Sequence, residues 1–159
     1  MIRIAVQKTV FDTGAEMQRI SADNPGIGAL ASFVGLVRDT NRVGEQSDQV
    51  ATLTLEHYPG MTEKALQRIA EQASERWSLQ AVTVIHRVGE MYPGEPIVLV
   101  LTASAHRQDA FDACQYIMDI LKTEAPFWKK EVLPDGSHRW VDSRASDEKA
   151  AARWEDDGF

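Results

Sequence analysis

Alternating hydrophobic and polar residues mark a series of short strands along the chain. A period of two is typical of a strand that buries one face, and short apolar runs are typical of strands that are buried on both faces. These patterns predict strands over Ile2 to Gln7, Ala29 to Val37, Val50 to Tyr58, Val82 to Val88, Ile97 to Ala103, Phe127 to Leu133 and His138 to Val141.

Helical periodicity appears between these strands in two long segments and one short segment. Apolar residues at every third or fourth position predict amphipathic helices over 61–77 and 107–123. A capping box at 13–16 predicts a shorter helix that ends near Ala22. The inner face expected for the helix over 107–123 consists of Phe111, Cys114, Ile117, Met118 and Leu121.

The remaining segments lack a continuous apolar face. Residues 39–49 are polar and predict a mobile surface loop. Residues 146–159 are charged and predict a frayed helix or tail. Residues 1–145 are therefore expected to form a single catalytic domain of the α+β class, with helices packed on a mostly antiparallel sheet.

The net charge of the chain narrows the classes of ligand. Its 159 residues include 17 Lys and Arg against 24 Asp and Glu, a formal net charge of −7, which argues against general binding to nucleic acids or membrane surfaces. The single cysteine, Cys114, excludes an intramolecular disulfide, and the four histidines show no metal-ligand spacing. The sequence shows neither a signal-peptide pattern nor a membrane-helix pattern, so we expect a cytoplasmic location.

Lys122 is the first candidate for chemistry. On a helix it lies about 40° from Met118 and about 20° from Phe111 around the axis, so its stem follows the edge of the apolar face. Loss of hydration there would lower the pKa of the ammonium group toward a value useful for acid–base or nucleophilic work. The alternative is a surface lysine whose head group extends into water, and periodicity alone favours this alternative.

Basic residues at three other places could bind an anion. Lys129 and Lys130 point to opposite faces if their segment is a strand, so only one of them can join the helix lysine. The segment Ser104-Ala105-His106-Arg107 opens a helix, where unpaired N–H groups and the helix dipole favour a phosphate. Arg38 follows a strand end, a common place for oxyanion recognition, although a surface ion pair with the next aspartate is the simpler explanation.

Four segments together resemble a known family, the large catalytic subunit of molybdopterin synthase. The resemblance covers residues 28–144, and its most specific feature is a pair of lysines that frame Ala-Pro-Phe-Trp. The segments that carry it are 53–65 with Glu56-His57-Tyr58-Pro59-Gly60-Met61, 82–90 with His86-Arg87-Val88-Gly89-Glu90, 104–107, and 118–131 with Lys122-Thr123-Glu124-Ala125-Pro126-Phe127-Trp128-Lys129.

The resemblance implies a fold, an assembly and a reaction. It implies an α/β-hammerhead fold and a homodimer that binds one small ubiquitin-like subunit at each end, giving a heterotetramer. The Gly-Gly tail of the small subunit, activated as a thiocarboxylate, would enter a pocket of the large subunit. Two sulfur transfers to cyclic pyranopterin monophosphate would then form the dithiolene of molybdopterin. The implied enzyme is a sulfurtransferase of molybdenum cofactor biosynthesis that uses neither a metal nor an organic cofactor.

The resemblance also implies roles for residues at matching positions. Lys122 and Lys129 match the catalytic lysines of the family, and Phe33 and Met118 would line the pocket. Leu36 departs from the basic residue usual at its position, so contact there would use backbone groups. The implied substrate-binding residues are Leu36, Val37, Arg38, His106, Arg107, Lys122, Lys129, Lys130, Glu131 and Arg144.

The length of the second long helix limits how these residues can act together. His106 and Lys122 are 16 residues apart, about 24 Å at a rise of about 1.5 Å per residue, so one small substrate cannot touch both within one chain. Either the site is a long groove, or His106 and Arg107 come from a second subunit. We favour the second arrangement, which places the site at the dimer interface.

Two functions from other classes are alternatives to the enzyme. A non-catalytic module that binds a ubiquitin-like tail would need Lys122 and Lys129 for affinity but not for turnover. A domain that binds a phosphorylated small molecule would need no pocket for a protein tail. The stretch from Lys122 to Glu131 favours the enzyme.

Overall fold

Strands and helices alternate along the chain of the computed structural model, which describes residues 1–43, 46–141 and 145–155. The strands are β1 (Ile2–Gln7), β2 (Ala29–Leu36), β3 (Thr40–Val43), β4 (Gln46–Gln49), β5 (Thr52–His57), β6 (Ala81–Arg87), β7 (Gly89–Met91), β8 (Pro96–Ser104), β9 (Phe127–Val132) and β10 (His138–Val141). The helices are α1 (Thr13–Ser21), α2 (Met61–Arg76), α3 (Arg107–Glu124) and α4 (Ala145–Ala152).

The strands form two four-stranded sheets and a separate hairpin. The first sheet has the order β1-β6-β8-β2, the second has the order β10-β9-β5-β7, and β3 pairs with β4 alone. Among the pairings of the described residues, only that of β1 with β6 is parallel. The expected α+β class is confirmed, with two sheets where the sequence suggested one.

Helices cover both faces of the first sheet, and for this reason its central strands β6 and β8 are largely buried. All seven residues of β6 are buried, and strands of this kind appear in a sequence as continuous apolar runs. On one face, α2 and α3 pack against the sheet through Leu66, Ile69, Ile117, Leu121, Val82, Val84 and Val100. On the other face, α1 packs through Ile20 against Ala81, Ile85, Leu99 and Leu101.

A smaller apolar cluster joins the two sheets. It contains Val37 after β2, Leu53 and Leu55 of β5, Val88 and Met91, and Val6, Ile97 and Phe127 pack against it. This cluster fixes the second sheet beside the ends of β2 and α3. The space that remains between these elements holds the candidate site.

Two expectations about loops are wrong. Residues 39–49 contain the hairpin of β3 and β4, which pair from Thr40 opposite Gln49 to Val43 opposite Gln46. A two-stranded hairpin satisfies its backbone hydrogen bonds without an apolar face, so hydrophobic alternation does not reveal it. The strand β7 was also missed, because three residues are too few to show a period.

Two details of the helices also differ from expectation. The N-cap of α1 is Asp12, whose side chain accepts a hydrogen bond from the N–H of Ala15 at 3.0 Å. Glu16, expected in a capping box, is buried and pairs with Arg3 at 3.0 Å. Phe111, expected on the inner face of α3, is 62% exposed, and Tyr116 is buried instead.

The C-terminal segment packs on α3. Asp119 of α3 accepts hydrogen bonds from Arg153 Nη2 at 2.6 Å and from Trp154 Nε1 at 2.7 Å. The Trp154 ring meets the rings of Trp77 and Tyr116 edge-on. Within this segment the structure is helical over α4. None of the described helices is long and apolar enough to cross a membrane.

A substitution at Gly28 tests how closely the backbone just before β2 packs against the backbone just before α3. The Gly28 N–H donates to the Ser104 carbonyl at 3.0 Å, and a Cβ at this position would lie 2.1 Å from the Ala105 carbonyl oxygen. We expect Gly28→Ala to lower the free energy of unfolding by about 1–3 kcal/mol, since backbone must move to admit the methyl group. Chemical denaturation measures the loss. Gly14→Ala, whose Cβ would only touch the Asp12 side chain at 3.5 Å, is the control and should stay within about 0.5 kcal/mol of wild type. Equal stability of the two variants would contradict the expected clash.

Candidate active site

A cavity of about 580 Å³ opens where β2, α3 and the second sheet meet. Apolar side chains form much of its wall, and a few charged groups converge on it, as is typical of small-molecule sites. The residues that line it include Phe33, Leu36, Val37, Arg38, His86, Met118, Lys122, Phe127, Lys129, Glu131 and Asp147.

Two lysines reach this cavity from different elements. Lys122 lies in the last turn of α3, and Lys129 lies in β9, with a short turn between the two elements. The turn forms because Pro126 cannot continue the helix, and the N–H of Ala125 closes α3 on the Leu121 carbonyl at 3.2 Å. Phe127, Lys129 and Glu131 alternate along β9 and line the cavity together.

The expected loss of hydration at Lys122 is not found in the single chain. Lys122 is exposed, whereas Lys129 is partly buried. The physical reason lies in the helix face, because Phe111, the residue that marked the edge of the apolar stripe near Lys122, is itself largely exposed. Lys122 therefore extends its ammonium group into an open cavity.

Glu131 places a buried carboxylate in the cavity wall. It is 5% exposed, and its Oε1 accepts a hydrogen bond from Arg139 Nε at 2.9 Å. Arg139 lies directly opposite Glu131 in the pairing of β9 with β10. The arginine fixes the position of the carboxylate, because a buried charge requires a paired and hydrogen-bonded partner. Sequence reasoning missed Arg139, since cross-strand register cannot be read from spacing alone.

His86 adds an uncharged imidazole to the same cavity. Its ring stacks on Phe127 with 3.9 Å between the ring centroids and 25° between the planes. Burial, as the main cause, and the positive charges of Lys129 and Lys122 together lower the pKa of His86 to about 3. Sequence reasoning considered this histidine only as a metal ligand. Within the described residues, no group of three or more His, Cys, Asp or Glu could hold a metal ion.

Thr62 fixes the turn that separates the two lysines. Its side chain is completely buried. Its Oγ1 donates to the Pro126 carbonyl at 3.0 Å and accepts a hydrogen bond from the Tyr58 N–H at 3.0 Å. The start of α2 is thereby bound to the turn between α3 and β9. This contact gives the segment 56–62 a structural role in the site.

Comparison with known proteins identifies the family. A family model described as MoaE protein matches residues 6–124. The molybdopterin synthase catalytic subunit of Pseudomonas aeruginosa is 55% identical over 153 residues, which cover 96% of this chain and 99% of that protein. The chain belongs to the MoaE family.

Solved structures agree with this membership. The molybdopterin biosynthesis MoaE protein of Burkholderia ambifaria has a TM-score of 0.81 at 53% identity, covering 98% of this chain and 99% of that one. A molybdopterin synthase from Staphylococcus aureus has a TM-score of 0.77 at 28% identity, covering 87% and 96%. As a MoaE family member with such relatives, the chain is an enzyme that acts in sulfur transfer for molybdopterin formation, within molybdenum cofactor biosynthesis.

The cavity brings together most of the residues that the sequence singled out. Lys122 and Lys129, for which the sequence resemblance predicts catalytic roles, both line it. So do Phe33, Leu36, Val37, Arg38, Met118 and Glu131. Asp147 of α4 also lines the cavity and was not anticipated.

Four of the expected site residues do not join this group. His106 and Arg107 are exposed at the opposite end of α3 from Lys122. Lys130 points to the other face of β9, where its Nζ lies 6.0 Å from the centre of the Trp140 ring. Arg144 lies outside the described residues.

The only cysteine of the sequence lies outside the cavity lining. Cys114 is buried in α3, and burial raises the pKa of its thiol to about 11. A thiol in this state is not a nucleophile at neutral pH. Its role is therefore structural, as expected from its place on the apolar helix face, and sulfur for the reaction must come from another molecule.

Removal of the Thr62 hydroxyl tests whether its hydrogen bonds hold the turn between α3 and β9. We expect Thr62→Val, which keeps the side-chain shape, to lower the free energy of unfolding by about 1–3 kcal/mol, because the Pro126 carbonyl and the Tyr58 N–H lose a buried partner. Product formation should fall as well, since Pro126 lies between the two lysines. Denaturation and a molybdopterin assay measure both effects. Thr62→Ser keeps the hydroxyl and is the control; a Val variant as active as the Ser variant would show that the turn does not depend on this hydrogen bond.

Proposed function

We propose that this chain transfers sulfur from the thiocarboxylated C-terminus of a small ubiquitin-like subunit to cyclic pyranopterin monophosphate. One observation carries the proposal: Lys122 and Lys129, from a helix and a strand, line one cavity large enough for a small ligand. A complex of subunits 1 and 2 of molybdopterin-converting factor from Helicobacter pylori shares this fold, with a TM-score of 0.68 at 18% identity. A homodimer, the resulting heterotetramer and a cytoplasmic location are further parts of the proposal.

The two lysines suit this reaction, because negative charge moves from the thiocarboxylate to the oxygen that leaves the substrate. The thiocarboxylate sulfur forms a bond to a substrate carbon, and a carbon–oxygen bond of the substrate breaks. Water then cleaves the acyl–sulfur bond, so the sulfur stays on the pterin and the tail ends in a carboxylate. Lys122 holds the thiocarboxylate and moves a proton, while Lys129 stabilises charge on the leaving oxygen.

The remaining charges assign places to the substrate. Arg38 enters the cavity at the end of β2 and would bind the phosphate, together with Arg144. Glu131, held by Arg139, would accept N–H donors of the pterin. The backbone of Leu36 and Val37 would complete this wall, as expected where a leucine replaces a basic side chain.

A second copy of the chain would supply His106 and Arg107. In the pairing of β2 with β8, Ala29 lies opposite Ser104 and Leu36 lies opposite Pro96. The α3 start therefore adjoins one end of β2, and the cavity adjoins the other end, about 23 Å away at about 3.3 Å per residue. A two-fold axis near the middle of β2 would exchange these ends and bring His106 and Arg107 of the partner subunit to this cavity.

The exposed edge of β2 supports this arrangement. β2 is the last strand of its sheet, and its apolar side chains Phe33, Val34 and Leu36 are 42%, 38% and 55% exposed. Long apolar edge strands associate readily with another chain, and natural proteins cover them. An isologous contact along β2 would cover this edge and complete the site in one step.

The first experiment is a molybdopterin assay with a thiocarboxylated small subunit and cyclic pyranopterin monophosphate. We expect product from wild type and a loss of at least about a hundredfold in Lys122→Ala, because the variant lacks both the charge and the proton of the ammonium group. Lys122→Arg keeps only the charge and should restore binding of the small subunit but little turnover. Lys64→Ala, an exposed lysine outside the cavity lining, is the control.

The outcomes of this assay distinguish a catalytic role of Lys122 from the alternatives. If folded Lys122→Ala binds the partner and turns over as wild type does, Lys122 is a surface lysine and the mechanism fails. If both variants at position 122 lose only affinity for the partner, Lys122 serves binding and not turnover. If wild type makes no product, the proposed substrate or partner is wrong.

A mixture of Lys122→Ala and Arg107→Ala subunits tests the shared site. In a mixed dimer with sites built from both chains, one site carries both changes and the other carries neither, so each mixed dimer has one working site. Random mixing should therefore recover about a quarter of wild-type activity, while each variant alone is nearly inactive. Native mass spectrometry confirms the mixed dimer. Mixed dimers without recovered activity would place Arg107 in the site of its own chain, whereas wild-type activity of Arg107→Ala on its own would place Arg107 outside the site.

A further inference from the structure

His86 forms part of the wall of the cavity that Lys122 and Lys129 also line, and its ring stacks on Phe127. It lies in β6 opposite Val98 of β8, is 6% exposed, and lines the cavity together with Lys122, Lys129 and Phe127. Its ring lies nearly parallel to that of Phe127. Burial and the stacking on Phe127 therefore restrict the orientation of the imidazole.

The hydrogen bond at Nδ1 fixes the tautomer of this ring. His86 Nδ1 lies 2.9 Å from the carbonyl oxygen of Arg87. A carbonyl oxygen only accepts, so Nδ1 must carry the hydrogen, and the neutral ring then has a lone pair on Nε2. No described residue forms a hydrogen bond with Nε2. Among the described residues, the cavity thus contains an acceptor that no protein donor satisfies.

The surroundings keep the imidazole uncharged over the whole physiological pH range. Burial is the main reason that its pKa falls to about 3, and three neighbours add positive charge: Lys129 from β9, Lys122 from α3 and His57 from β5. The hydrogen bond to Arg87 opposes this shift but is weaker. At neutral pH, Nε2 accepts a hydrogen bond and cannot donate one.

We propose that His86 is a ligand-positioning residue whose Nε2 accepts a hydrogen bond from an uncharged N–H group of the bound ligand. The inference rests on the proposed function, since both proposed ligands carry such groups: the pterin ring has N–H donors, and the Gly-Gly tail has peptide N–H donors. Phosphate and thiocarboxylate offer no donor, so His86 cannot bind the anionic groups that the lysines attract. Charge thus brings a ligand into the cavity, and His86 sets its orientation.

Two substitutions separate the Nε2 acceptor from the rest of the ring. In His86→Gln the side-chain amide reaches the position of Nε2 and can still accept. In His86→Asn the amide reaches only the position of Nδ1, so it can keep the bond to the Arg87 carbonyl but offers nothing at Nε2. We expect His86→Asn to lower kcat/KM by about tenfold to a hundredfold, as for a lost hydrogen bond in a binding site, and His86→Gln to retain at least several-fold more activity than Asn.

A merely structural histidine would give the reverse order. If the ring served only to pack on Phe127 and to bind the Arg87 carbonyl, His86→Phe or His86→Asn would be more active than His86→Gln, and this order would overturn the proposal. Thermal unfolding of each variant and of the control His138→Asn, an exposed histidine on β10, separates activity from stability. Equal activity of the Gln and Asn variants at equal stability also overturns it.

Binding measurements distinguish the two sources of the N–H group. If the pterin is the donor, His86→Asn raises the KM for cyclic pyranopterin monophosphate and leaves the Kd of the small subunit unchanged. If the tail is the donor, the Kd of the unactivated small subunit rises and that of a tail-truncated form does not. Absence of product with wild type would overturn the proposed function and this inference together, whereas normal turnover with unaffected His86 variants would overturn this inference alone.

Discussion

The hydrogen bond from Thr62 to the Pro126 carbonyl fixes the point where α3 gives way to β9. Pro126 ends the helix wherever the chain lies, but the direction of the following strand depends on what holds the turn. The start of α2 holds it here, through a hydroxyl with no exposed surface. Because of this contact, a lysine in the last turn of a helix and a lysine in the next strand face one cavity.

The cavity concentrates positive charge although the protein as a whole is acidic. The chain has a formal net charge of −7, so an anionic ligand is not attracted by the molecule as a whole. Lys122, Lys129 and Arg38 concentrate positive charge in the cavity, and Arg139 neutralises the carboxylate that lies among them. The imidazole of His86 stays neutral in this field because burial and the same lysines disfavour its protonation. One set of charges thereby creates both an anion site and an uncharged acceptor.

Periodicity predicted the elements that carry the site better than it predicted the site itself. The strands of the first sheet and the helices α2 and α3 were found because each carries a regular apolar pattern or a short apolar run. The hairpin of β3 and β4 was missed because its pairing needs no apolar face. Lys129 could be separated from Lys130 by strand alternation, and the length of α3 already separated His106 from Lys122. The roles of His86 and Arg139 depend on neighbours across a sheet or from a distant element, and contacts of that kind leave no trace in local spacing.

The exposure of Lys122 in the single chain gives a physical reason for a sulfur donor that is a protein. In water, opposite unit charges about 4 Å apart attract by about 1 kcal/mol, whereas at an effective dielectric constant of 20 they attract by about 4 kcal/mol. The difference of about 3 kcal/mol corresponds to about a hundredfold in rate if it acts only in the transition state. A small thiocarboxylate would leave the cavity open and forgo this gain. A tail attached to a folded partner would cover the cavity, remove water from around Lys122 and the thiocarboxylate together, and strengthen their interaction at the step where charge moves. The hydration that the single chain leaves on Lys122 is then what the proposed partner would remove.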